Sequence, residues 1–248
     1  EFVFSSQEKI FARLEAMKFL SDKEKNGILI INVAASRLFL PKPDIFKKSE
    51  LILSVTEEYN LDNLVKSLSR NGYKKVSQVL SQGEYSLRGD ILDIFERSAQ
   101  YPYRIEFFGD EIDGIRIFNP ENQLSLENVE EILVEPVTDL LFTEEDYARG
   151  QKNLEAALST VIDPSLKSYL EEVLSSAREQ FHHADIRKFL SFFYQKEWTI
   201  LDYLPTHTPI FFDDFQKIMD KHAQFELEVA NILTDDLQNS KALSNQQY

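Results

Sequence analysis

Six carboxylates crowd one short stretch of this 248-residue sequence: Asp90, Asp93, Glu106, Asp110, Glu111 and Asp113. Groups of this kind build two-metal hydrolytic sites, so a carboxylate metal nuclease is the first chemistry to weigh. Against it, Gly109-Asp110-Glu111 is hairpin-turn chemistry, and Asp93 alternates with Leu92 and Ile94 as a strand residue does. No histidine or lysine lies close by in sequence to act as base. A second acidic pair, Asp213-Asp214, follows the apolar run Pro209-Ile210-Phe211-Phe212, where a nucleotide-binding sheet carries its magnesium ligands. Nucleotide hydrolysis also needs a glycine-rich phosphate loop, and none of the seven glycines stands in one. The pair is therefore expected to cap the next helix and favour its positive end. His182 and His183 are adjacent in a helix break and point apart, His207 sits in a turn, and His222 lies on an amphipathic helix. Packing or solvated roles suit all four. Arg88-Gly89-Asp90 spells an adhesion tripeptide, which a cysteine-free chain without a leader leaves without context.

The other chemistry is recognition. Residues two apart in a strand share a face. Over 103–108, Tyr103, Ile105 and Phe107 fall on one face, and Arg104, Glu106 and Phe108 on the other. With the first face on a core, the second shows an arginine, a carboxylate and a large aromatic to solvent. An exposed Phe beside Arg is the stuff of protein-binding hot spots. Arg88 precedes Gly89, where a backbone irregularity can re-aim its side chain. The competing reading pairs Arg88 and Arg104 with Asp90 or Glu106 as surface ion pairs, worth about 0–1 kcal/mol each. Alternation alone leaves both open.

Composition narrows the field. The chain carries net charge −15, against the basic footprint that sequence-independent DNA binding needs. With 43% hydrophobic and 12% aromatic residues it can build real cores. Without cysteine, disulfides, thiolate catalysis and Cys-based zinc sites are excluded. No apolar run approaches the ~20 residues that cross a bilayer, so no membrane partner is expected. Glu1 in place of an initiator methionine, and a polar end, suggest a piece of a larger cytosolic, cytoplasmic protein.

The elements that must position these residues follow in order. Ser5 and Glu8 have capping-box spacing for a helix over 5–21, with Ile10, Leu14 and Met17 inward. Gly27–Val33 is a β-branched apolar run suited to a strand covered on both faces, and Leu40-Pro41-Lys42-Pro43 ends regular structure. From Glu50 a strand precedes a helix capped by Asn60, with Leu61, Leu64, Val65 and Leu68 apolar, closed by Asn71-Gly72. Val76–Leu80 reads as a short strand, Gly83–Phe118 as three alternating strands, and Ile132-Leu133-Val134 as one more. Thr143 and Asp146 flank a helix start, and Asp163-Pro164 opens a clear helix. Ile186, Phe189, Leu190 and Phe193 repeat the helical period. Pro209–Phe212 reads as a second covered strand, a long acidic helix starts near Asp214, and the tail from Asn239 is expected to fray.

The run Gly83-Glu84-Tyr85-Ser86-Leu87-Arg88-Gly89-Asp90-Ile91-Leu92-Asp93-Ile94-Phe95, followed by Tyr101–Ile112, resembles the signature of domain 2 in a family of bacterial repair proteins. That family comprises the excision-repair helicase UvrB and the transcription–repair coupling factors; Ile115–Leu126 is closer to the coupling factors. Weaker similarity extends to Gly27–Pro43 and Thr199–Pro205. The resemblance implies an α/β plus α+β fold, a UvrB-like module: residues 1–47 as the first part of α/β domain 1A, 48–138 as the α+β domain 2, 139–198 as a helical domain 1B, and 199–248 returning to 1A. It implies that domain 2 recruits UvrA, through Arg88, Arg104 and Phe108, in transcription-coupled nucleotide excision repair. Arg104→Ala is then expected to abolish UvrA binding with little change in thermal stability. The fragment itself would be non-catalytic and hold no cofactor. ATP, magnesium, RNA polymerase and double-stranded DNA would belong to a longer parent with a DNA-translocating motor. The alternative is a UvrB-type helicase fragment that binds ATP and damaged DNA, from which the missing phosphate loop and the Phe212-Asp213-Asp214-Phe215 sequence depart.

Overall fold

The computed structural model describes residues 6–22, 26–179 and 184–244. The Ser5 end of the first capping box, Phe181, His182 and His183, and the last four residues lie outside them. Helices and sheets mix as the α/β plus α+β reading expects, and the chain divides into two compact units. One comprises residues up to Glu15 together with Asp44–Leu141, and the other Ala16–Pro43 together with residues from Phe142 on.

The first unit holds the sheets. Strand β1 (Leu51–Ser54) pairs antiparallel with β8 (Glu131–Val134). Between them, helix α4 (Leu61–Arg70) starts on Asn60, whose Oδ1 accepts the Asn63 N–H at 3.1 Å, and ends at Asn71. Its Leu64 and Leu68 are buried. Six strands then form one sheet in the order β2 (Lys74–Lys75), β3 (Glu84–Arg88), β4 (Ile91–Ile94), β5 (Tyr103–Phe108), β6 (Glu111–Phe118), β7 (Ser125–Val129). Only the β2–β3 pairing is parallel. Gly83–Phe118 thus contains four strands where the sequence suggests three, because Gly89-Asp90 is a two-residue hairpin turn. Gly89 has φ +61° there, a conformation glycine adopts without steric cost. The strand expected over Val76–Leu80 is displaced to Lys74–Lys75, and Leu80 is exposed.

One face of the large sheet closes the core. Tyr85, Leu92, Ile94, Ile105, Phe107, Ile112 and Ile115 pack with Leu53, Leu64, Leu68, Ile132 and Val134. Period-2 alternation is the cause: a strand buries every second side chain. The first half of helix α1 (Gln7–Ser21) joins this unit through ion pairs. Arg13 Nε meets Asp139 Oδ2 at 2.6 Å, and Arg97 bridges Glu15 and the buried Glu135. Tyr73 donates from its hydroxyl to the Glu135 carbonyl at 2.8 Å, and burial pushes its phenol well above the ordinary range.

The second unit is helical. Helix α5 (Glu144–Thr160) opens on a complete Thr143–Asp146 capping box, and α6 (Pro164–Glu179) follows Asp163 as the sequence indicates. A 3-10 turn at Ala184–Phe189 runs into α7 (Leu190–Phe193). Leu154, Leu170, Val173, Leu174, Ile186, Phe189 and Phe193 form the core. Helix α8 (Phe215–Gln238) starts on Asp214, whose Oδ1 accepts the Lys217 N–H, as expected for a cap. The tail is not frayed through 243: Ser240 Oγ donates to Asp163 Oδ2 at 2.5 Å, and Leu243 enters the core.

Neither end-of-chain strand forms. Gly27–Asn32 is irregular, with Asn32 capping the short helix α2 (Val33–Ser36), and helix α3 (Pro43–Lys48) follows in the other unit. Pro209–Phe212 is irregular as well. Ile28 and Ile30 are each 90% exposed and Phe211 is 88% exposed. A strand exists only when a neighbour takes its backbone hydrogen bonds. Among the described residues nothing pairs with either run; the unit's one isolated bridge joins Leu40 to Trp198.

Candidate docking face

The outward face of the six-stranded sheet carries the recognition residues, and its register decides their environment. Ser86, Asp93, Arg104 and Arg116 stand opposite one another across β3, β4, β5 and β6. One row nearer the hairpin turns, Arg88, Ile91, Glu106 and Gly114 are opposite. Strands β3 and β5 run the same way, so Arg88 and Phe108 both reach the end of the sheet that holds the Gly89-Asp90 and Gly109-Asp110 turns. They lie two strand spacings apart, on the order of 10 Å.

Phe108 is 82% exposed. Its neighbours on β5, Ile105 and Phe107, are in the core, so alternation placed all three correctly. Arg88 is half exposed and makes one ion pair, from Nη2 to Asp93 Oδ2 at 2.7 Å. Arg104 departs from the expectation of an arginine shown to solvent: its side chain is only 15% exposed. Its Nε donates to Asp93 Oδ1 at 2.7 Å, and its Nη2 donates to Asp93 Oδ2 and Gln123 Oε1, each at 2.9 Å. Its guanidinium carbon also lies 4.4 Å from the centroid of the Phe118 ring, within cation–π range. The hydrogen bond to Asp93 holds the guanidinium above the usual arginine range.

Both arginines therefore converge on Asp93, not on Asp90 or Glu106, and the side chain of Asp93 is 1% exposed. Glu106 pairs instead with Arg116 beside it. Asp93, Gln123, Phe118 and Arg116 are the site residues that sequence reading missed. The pairing of Asp93 with Arg104 crosses the connection over 95–102, and that of Arg104 with Arg116 follows a bulge at Glu106/Phe107, so turn counting gives neither. Asp93 itself was within reach, because the two-residue Gly89-Asp90 turn fixes it opposite Ser86. Gln123 was not, because it arrives from the Asn119–Leu124 turn with φ +64°, held by its own Nε2 on the Pro120 carbonyl at 2.8 Å.

For hydrolytic chemistry, Asp93 is already engaged by two cations. Among the described residues no three histidine or carboxylate side chains gather where a metal ion could be held. No described helix is long and apolar enough to cross a membrane. What the face can do is present a ring and a forked donor at the same end of one sheet.

Residues 51–140 match the UvrB interaction domain family. The chain is 30% identical to the transcription-repair-coupling factor of Bacillus subtilis strain 168 over 98% of its length, and 29% identical to that of Staphylococcus aureus MRSA252 over all of it. It spans about a fifth of the length of these relatives, 21% and 22%.

Proposed function

We propose that the chain is the module of a bacterial transcription-repair-coupling factor that recruits UvrA, a reading supported by the match of residues 51–140 to the UvrB interaction domain family and by similarity to such factors along its length. Arg88, Arg104 and Phe108 form the docking face. Residues 48–138 serve as the docking domain, 139–198 as a helical domain, and 1–47 with 199–248 as parts of a third. The module is non-catalytic and cytoplasmic. ATP, magnesium, RNA polymerase and double-stranded DNA are handled by other parts of a longer protein that performs transcription-coupled excision repair.

The observation that carries this reading is Phe108. An aromatic ring 82% exposed at a hairpin end contributes little to the fold and is open to serve as the apolar anchor of a partner contact. Arg88 stands at the same end of the sheet with most of its forked donors open, a geometry suited to carboxylates or carbonyls.

Calorimetric titration of the 248-residue chain with purified UvrA tests the reading: saturable binding supports it, and its absence overturns it. Melting in the presence of magnesium–ATP tests the non-catalytic assignment. A ligand that binds the folded state raises the melting temperature, so an unchanged value is expected, and a clear rise would favour a helicase fragment.

A further inference from the structure

The two arginines of the docking face are not equivalent. Arg104 is spent: three hydrogen bonds and a ring below it fix its guanidinium, and little of it meets solvent. Arg88 is half exposed and, among the described residues, is tied only by one nitrogen to the second oxygen of the same carboxylate. Asp93 lies between them, nearly devoid of exposure, with both oxygens occupied. A carboxylate that accepts a two-pronged arginine cannot rotate, so its remaining lone pairs point in fixed directions. The direction in which Arg88 is drawn is therefore set by the Asp93–Arg104 pair.

Resting on the UvrA-docking reading, we propose that Asp93 is a positioning residue of this face: it uses Arg104 as a brace and aims Arg88 at a carboxylate of the partner, beside the apolar pocket that takes Phe108. Arg104 then acts behind the contact surface. The partner group is anionic because, in the two rows across β3 to β6, Asp93 and Glu106 are engaged by Arg104 and Arg116, and Arg88 is left half exposed with forked donors open beyond its one contact to Asp93. An arginine held in one rotamer loses less freedom on docking than a free one, which is the gain the brace provides.

A double-mutant cycle tests this with UvrA as the titrant and the full 248-residue chain. Arg88→Ala is expected to weaken binding by about thirtyfold or more, as for truncation of a desolvated charged contact. Asp93→Asn is expected to weaken it about tenfold in the original chain but less than about twofold in the Arg88→Ala background, the coupling of residues that act through one another. Unfolding by urea should show the Asp93→Asn stability loss in both backgrounds, so a structural role alone cannot imitate the pattern. Arg104→Lys, which keeps the charge but not the fork, should follow the same pattern and serves if Asp93→Asn does not fold. Equal binding losses in both backgrounds, or none in either, overturn the inference while leaving the docking reading intact. No UvrA binding by the unmodified chain overturns the docking reading itself.

Discussion

Arg104 meets Asp93 fork to fork, Nε on Oδ1 at 2.7 Å and Nη2 on Oδ2 at 2.9 Å, on what alternation marks as the solvent side of the sheet. The pair is covered all the same, by the Phe118 ring on one side and the Gln123 amide on another. It therefore belongs energetically with buried pairs, where losing one partner strands a charge, and not with surface pairs.

Arg104→Ala should consequently destabilise the first unit, contrary to the near-neutral effect expected from sequence. A fully orphaned buried charge costs about 3–5 kcal/mol. Arg88 remains on Asp93 Oδ2, so a loss of about 2–3 kcal/mol is expected from urea unfolding followed by far-ultraviolet circular dichroism. A change below about 0.5 kcal/mol would show that solvent already reaches the pair.

Phe108→Ala separates binding from stability. The ring contributes little to the core, so the change should lie within about 0.5 kcal/mol of the original chain. If the ring fills a partner pocket, affinity for UvrA should fall about 30-fold or more, the scale of a hot spot. Calorimetry and thermal melting on one preparation decide it, and the informative result is loss in the first without change in the second.

These two variants also mark how far the sequence was legible. Where one face of an element is buried, pattern was enough: it placed Ile105 and Phe107 inside and Phe108 outside, and it placed the Asn60, Thr143 and Asp214 caps. It missed where the answer depended on register or on a distant neighbour. Asp93 looks like any strand residue until the pairing of β4 with β5 sets it opposite Arg104. Gly27–Val33 and Pro209–Phe212 have the composition of covered strands, but composition states a need for pairing and does not supply the partner. The tail failed for the opposite reason: one leucine, Leu243, ties down a polar segment that local composition reads as loose.

Gly150→Ala tests the packing of the second unit. Alanine is ordinarily favoured over glycine inside a helix by about 1 kcal/mol. Here an added Cβ would lie 2.1 Å from the nearest atom of the Phe193 ring, and that ring is fully buried. Overpacking of a closed core costs about 1–3 kcal/mol, so the clash should outweigh the propensity gain. A net loss in urea midpoint is expected; a gain would show that α5 and α7 separate easily.

Asp163 gives the second unit a pH signature. Its carboxylate accepts from the Ser240 hydroxyl at 2.5 Å and from the Ser165 N–H at 3.0 Å, and these bonds hold its pKa below the ordinary value of 3.8. A depressed folded pKa means that the unfolded chain takes up the proton first, so the stabilisation is complete above the ordinary value. It is lost as pH falls through the lower folded pKa. Asparagine in its place cannot titrate. The urea-midpoint difference between the original chain and Asp163→Asn should therefore be constant from neutral pH down to about pH 5 and shrink below 3.8. A difference that widens on acidification would mean that the Ser240 contact prefers the protonated acid, with Asp163 as donor and the tail held by a different bond.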